Sequence, residues 1–188
     1  MTEDIVRSML MYFILPLWLA AGFADWLCHR TSNIATTSGP KESVLHLLQF
    51  AEMGVPVLAA LFLEINALII AIMMVCLVLH EATAIWDVRY ASATRDVSPT
   101  EQHVHSFLEM LPLMGLLMII VLHWQQFLAL FGQSSEPARW DLVWKQQPLP
   151  VAYIAAVLLA VLVFELLPYL EELVRGLRAN KPAKAREP

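Results

Sequence analysis

Four short segments place an imidazole and a carboxylate at helical spacing: Asp25 and His29, Glu42 and His46, His80 and Asp87, and Glu101 with His105 and Glu109. Successive α-helical residues turn by about 100°, so side chains four apart are offset by about 40° and side chains seven apart by about 20°. Each set therefore presents its donors on one helix face. Imidazoles and carboxylates from facing helices are the donors that hold dinuclear metal sites in helical bundles, although the usual spacing there is Glu-x-x-His and the spacing here is longer. The nine residues are the expected ligands of two metal ions. Iron is the favoured identity, with zinc or manganese as alternatives, since ligand type alone narrows the metal weakly.

The same geometry sets other polar residues apart. His103 lies about 160° from His105, and Glu81 about 100° from His80, so neither shares the ligand face. Gln49 and Glu52 lie off the Glu42/His46 face and are expected to support ligands rather than to be ligands. Glu165, within VLVFELLP, reads as a protonated carboxyl hydrogen-bonded inside the bundle, with ligation or proton carriage as the alternative. His123, beside Trp124, fits an anchor at the membrane interface. Arg89 and Arg95 flank the inferred site and are expected to bind a substrate or lipid headgroup.

The elements that carry these residues are apolar. The 188-residue chain is 59% hydrophobic and only 15% charged, with mean hydropathy +0.61, well below the quarter charged that is usual in soluble domains. An integral membrane protein is expected. A net charge of -5 and the lack of a basic stripe exclude a nucleic-acid partner. Cys28 and Cys76 sit in apolar runs without metal or redox spacing. The apolar N-terminal segment carries Glu3 and Asp4 ahead of Arg7, unlike a secretory leader, and reads as a retained anchor helix.

Apolar regions run over 5–27, 44–79, 107–131 and 149–170. A single helix over 44–79 would be about 54 Å long, against a hydrocarbon core of about 30 Å, so this region must break. A break at Gly54 to Pro56 gives four spans plus an interfacial helix and leaves Glu64 and Asn66 in lipid. A turn at Glu64 to Asn66 gives five spans and puts both at the interface, with Asn66 supplying a left-handed residue to end the helix.

Under the five-span reading, Arg30, Lys41, Arg89, Arg95, Arg175, Arg178, Lys181, Lys184 and Arg186 share one side, opposite Arg7, Arg139 and Lys145. The positive-inside rule favours this arrangement, with the N-terminus outside and the C-terminus in the cytoplasm of a bacterial-type inner membrane. The expected fold is thus an all-α, polytopic five-helix transmembrane bundle over 1–178, followed by a disordered cytoplasmic tail over 179–188. All four histidine/carboxylate sets then meet at the cytoplasmic end.

The function expected from this pattern is a dinuclear, non-haem oxidoreductase acting on a lipid or other apolar substrate, with the bilayer and an electron donor as partners. A b-type haem subunit and a non-catalytic metal sensor or transporter are the alternatives. The gathering of histidines at one face is similar in chemistry to that of membrane hydroxylases and desaturases, but their HxxxH and HxxHH boxes are missing here.

Overall fold

The computed structural model describes residues 1–180. Five helices are long and apolar enough to cross a membrane: α1 (Thr2–Thr31), α2 (Pro40–Phe62), α3 (Ala67–Thr94), α4 (Pro99–Leu122) and α5 (Val151–Ala179). The five-span expectation holds, and with it the break in the long apolar region. Ala179 and Asn180, expected at the start of a disordered tail, instead close α5. Asn180 donates from Nδ2 to Ala35 O and Gly176 O, each at 2.9 Å. The rest of the expected tail, 181–188, lies outside the described residues.

The turn between α2 and α3 contains neither Gly nor Pro, and partners elsewhere in the chain explain how it forms. Leu63 is extended, with φ -106° and ψ 151°, and bridges antiparallel to Trp144 in the loop that joins α4 to α5. Glu64 N donates to Val143 O at 2.8 Å, and Lys145 N donates to Phe62 O at 2.9 Å. The loop thus satisfies backbone groups that a three-residue turn would otherwise leave bare. Asn66 does not end α2 in a left-handed conformation as expected. It is extended (φ -132°) and caps the start of α3, its side chain accepting from Ile69 N at 3.2 Å. Fully buried, it also donates to Asp141 O at 2.8 Å. Below this turn, Ala59, Ile65, Ile69, Ile70, Met73, Leu116 and Ile120 form the apolar core.

Prolines shape α1 and α5 in the same way. Each contains a π-helical turn, Leu10–Ile14 and Leu162–Leu166, and each turn ends two residues before a proline, Pro16 and Pro168. A proline lacks an N–H and its ring crowds the carbonyl four residues back; that residue is Tyr12 in one helix and Phe164 in the other, both inside the widened turn. Pro56 and Pro112 lie within α2 and α4 without ending them.

At the far end of the bundle from the α2–α3 turn, helix starts bring acids inward. Pro40 and Pro99 occupy first-turn positions, Ser98 caps α4 by accepting from Glu101 N at 3.1 Å, and Glu42 and Glu101 sit in the first turns. Carboxylates there face the positive ends of two helix dipoles. The 32–39 loop folds over this end, with Ile34 and Ala35 buried and Ser38 O accepting from the Tyr90 hydroxyl at 2.7 Å.

Candidate metal centre

Asp25 and His29 come from the last turns of α1, Glu42 and His46 from the first turns of α2, Asp87 from the last two turns of α3, and Glu101 from the first turn of α4. All six are buried. They fall into three overlapping groups, Asp25/His29/His46, His29/Glu42/Glu101 and Glu42/His46/Asp87, in each of which one ligand atom per residue lies within 4.8 Å of the others. Donors scattered over 77 positions of sequence, from 25 to 101, are thereby brought together. The doubling back at Asn66 puts α2 and α3 side by side, so that His46 and Asp87 meet.

A residue that sequence reasoning missed organises the set. Glu172, on α5 and fully buried, lies between two imidazoles: Oε2 is 3.0 Å from His29 Nδ1 and Oε1 is 2.9 Å from His46 Nδ1. The two rings stack with centroids 4.3 Å apart and planes 7° from parallel. With both Nδ1 atoms on Glu172, both Nε2 atoms turn toward the remaining acids. His29 Nε2 is 3.3 Å from Asp25 Oδ2 and 3.6 Å from Glu101 Oε1, and His46 Nε2 is 3.1 Å from Asp87 Oδ2. Carboxylate at Nδ1 and a metal at Nε2 is the usual way of fixing the tautomer and orientation of a ligating histidine. The signal was present in the sequence. Glu165, Tyr169, Glu172 and Gly176 recur three or four residues apart, and all four are buried. At Gly176 an added Cβ would sit 3.2 Å from Pro40 Cα, so the glycine lets α5 close on α2 and bring Glu172 in.

Arg95, just past α3, was expected at a substrate headgroup. Its guanidinium instead enters the cluster, with Nε 3.2 Å from Glu42 Oε1 and Nη1 3.0 Å from Glu101 Oε2, and Nη2 touching both residues. Burial alone would lower its pKa, but the hydrogen bonds and charges of Glu101 and Glu42 outweigh this and hold it above the ordinary value. Arg89 is exposed and stands apart from the cluster.

The other expected ligands lie beside the three groups. His105 approaches Asp25 Oδ1 at 4.0 Å and Glu109 Oε1 at 3.8 Å. His80 is 4% exposed, and neither of its ring nitrogens has a hydrogen-bonding partner among the described residues. Both histidines line a cavity of about 210 Å³ together with Asp25, His46, Gln49, Glu165 and Tyr169. Gln49, expected as a support, donates to Asp87 Oδ2 at 3.2 Å. Glu52 accepts from the Thr83 hydroxyl at 2.9 Å, away from the cluster. Glu165 lies in the π-turn of α5 with its Oε1 unpartnered among the described residues, and its carboxylate occupies the space that a Cβ at Gly22 would fill. Tyr169 donates to Gly22 O at 3.2 Å.

Charge decides what this arrangement can do. Asp25, Glu42, Asp87, Glu101 and Glu172 are buried together, and Arg95 is the one permanent cation among them. Buried carboxylates are costly unless cations or protons compensate them. The cluster is therefore suited to binding metal cations. Comparison with protein families, curated proteins and solved structures gave no match to this chain.

Proposed function

We propose that the cluster is a dinuclear metal centre, and that the protein is a membrane-embedded, non-haem di-iron oxidoreductase acting on a lipid or other apolar substrate. The observation that carries this reading is the charge count. The five cluster carboxylates, Asp25, Glu42, Asp87, Glu101 and Glu172, against one guanidinium leave four negative charges when the imidazoles are neutral, as metal-ligating imidazoles are, the charge that two divalent cations supply. His29, Glu42 and His46 each belong to two of the three ligand groups, so neighbouring ions held there would draw on common ligands.

Asp25, His29, Glu42, His46, Asp87 and Glu101 hold the ions. Glu172 orients both imidazoles, and Arg95 donates to both oxygens of Glu42 and of Glu101 and so holds the two carboxylates in place. His80, His105 and Glu109 flank the open side. Mixed nitrogen and oxygen donors suit iron, with zinc or manganese as the alternatives. A pair of irons supplies redox chemistry and oxygen activation beside an apolar cavity. Glu165, on the wall of that cavity, is placed to carry a proton to it.

By the positive-inside rule, the gathering of Arg30, Lys41, Arg89, Arg95, Arg175 and Arg178 at this end supports a centre on the cytoplasmic side, and our reading is a bacterial-type inner membrane with a cytoplasmic electron donor. The haem reading fits His29 and His46 poorly, because rings stacked at 4.3 Å leave no room for a macrocycle between them. Mössbauer spectroscopy of protein produced with ⁵⁷Fe tests the proposal. A spin-coupled iron pair is expected, whereas mononuclear iron or a haem spectrum contradicts it.

A further inference from the structure

Two adjoining cavities lie between the centre and the opposite end of the bundle. A second cavity, of about 460 Å³, begins among Arg7, Glu64, His123, Lys145, Gln146 and Gln147 and continues between apolar walls. Leu15, Trp18, Met53 and Val57 line both this cavity and the one that ends at Asp25 and His46, so only these four side chains stand between the two. The space exists because the outer half of α5 stands off from α2. α5 packs closely on α1 and α2 only from Leu162 onward. Over its outer half it is tied to α1 by Tyr153, which donates to Met11 O at 3.1 Å and meets the Tyr12 ring edge-on. Met11 lies in the π-turn of α1, where the widened backbone leaves carbonyls in need of other donors.

The outer end is cationic. Neither Arg7 nor Lys145 forms an ion pair among the described residues, and Glu64, the one acid lining the cavity, accepts from Gln146 N at 2.8 Å. Burial, together with the charge of Arg7, pushes the Lys145 amine below its ordinary pKa, opposed by Glu64. Burial and the charges of Lys145 and Arg7 do the same to His123. Arg7 and Lys145, offset only by Glu64 among the residues lining this cavity, leave one net positive charge at the mouth of an apolar space, which suits a monoanionic head.

We infer that these adjoining cavities bind a single long apolar chain with an anionic head, the head between Arg7 and Lys145 and the chain running past Trp18 toward the metal cluster. Arg7 and Asp25 are 18 positions apart on α1, or about 27 Å by helical rise, more than the half of a roughly 30 Å hydrocarbon core that one acyl chain fills in a bilayer, so the chain must lie extended. A chain held by its head at Arg7 and Lys145 therefore directs its distal end, not the carbons beside the head, past Trp18 toward Asp25 and His46. Both a free long-chain fatty acid and one acyl chain of an anionic phospholipid carry this chemistry. The site deepens the proposed function by naming the substrate class, and it rests on that reading only for what happens at its inner end.

The test is binding of oleate to the purified full-length protein, metal-loaded and metal-free, with a fatty acid brominated near its methyl end as a quencher of Trp18. The site predicts saturable binding in both forms. It also predicts quenching that is lost in Trp18→Phe while binding remains, and affinity weakened about tenfold or more when Arg7→Ala and Lys145→Ala are combined. Gly115 lines the outer cavity, and a Cβ there would meet only Ile14 Cγ2, at 4.0 Å; Gly115→Leu should obstruct the chain and weaken binding similarly. Arg139→Ala, at the same end but paired with Asp141 outside the cavity, should bind within twofold of wild type. Saturable binding confined to phosphatidylglycerol with brominated chains in nanodiscs assigns the chain to the intact lipid and supports the site. Equal affinity for oleyl alcohol, unaltered affinity in the Arg7/Lys145 double variant, or quenching independent of Trp18 overturns it. Failure of the wild-type protein to take up metal refutes the metal centre, and saturable oleate binding by that same protein leaves this site standing.

Discussion

His29 and His46, from different helices, lie face to face with ring centroids 4.3 Å apart, and one carboxylate, Glu172, meets the Nδ1 atom of each. Two parallel imidazoles fixed from behind present their Nε2 atoms in a common direction. That arrangement makes Glu172 a positioning residue whose loss should act on metal binding.

Glu172→Ala should weaken metal affinity by about 10- to 100-fold, and Glu172→Gln, which keeps a hydrogen-bonding side chain, should recover part of it. Competition with a chelator of known affinity reads this directly. A merely structural role would lower the melting temperature of both variants without separating them in metal affinity.

Arg95 holds Glu42 and Glu101 together in the metal-free protein. Arg95→Met should destabilise the metal-free form by about 3–5 kcal/mol, the cost of breaking a buried ion pair from one side. Bound metal should return much of this, because it supplies the missing positive charge. Thermal unfolding in detergent, with and without metal, measures the difference, and equal losses in both forms would count against Glu42 and Glu101 as ligands.

Removing metal from the wild type leaves the five cluster carboxylates to Arg95 and to whatever protons His29 and His46 take up, so chelation should lower its melting temperature. Protons compete for the same imidazoles and carboxylates, so metal affinity should fall as pH falls. Metal titrations across a pH series check the sign; an affinity independent of pH would contradict ligation by these groups.

The α2–α3 turn owes its form to Asn66 and the loop that reaches it. Asn66→Ala removes a helix cap and two hydrogen bonds to Asp141, at a cost of about 1–2 kcal/mol, read as a lower melting temperature. The Asp141 carboxylate, held by Arg139, has a pKa below its ordinary value. A depressed carboxylate contributes stability above its unfolded pKa and loses it as pH falls through the folded one. Amide protection factors in 139–146, corrected for the intrinsic pH dependence of exchange, should therefore be unchanged near neutrality and fall only below the usual carboxylate range.

Gly22 makes room for the Glu165 carboxylate. Gly22→Ala should cost about 1–3 kcal/mol by overpacking, and adding Glu165→Ala should relieve most of it. Additive losses in the double variant would show that the two positions do not share this space.

The sequence carried the periodicity of the donors well, because helical spacing alone puts Asp25 beside His29 and Glu42 beside His46. It also carried the break at Glu64 to Asn66, through bilayer thickness and the placement of lysine and arginine. The chemistry of that turn was not legible, since its partners, Val143 and Asp141, lie more than seventy residues away. Arg95 reads from sequence as a loop cation, and only the approach of α2 and α4 turns it inward. Glu172 was hidden by its setting in a charged, amphipathic stretch beside Glu171, where an acid reads as solvated. Its three- and four-residue spacing with Glu165, Tyr169 and Gly176 was the one available sign that this face of α5 is buried.

Metal analysis of the purified protein tests the central claim most directly. About two metal ions per chain in the wild type, lost in both His46→Ala and Asp87→Ala variants that still fold, is the predicted result. A folded wild-type protein with no stoichiometric metal after production and reconstitution with iron, manganese or zinc would contradict the account.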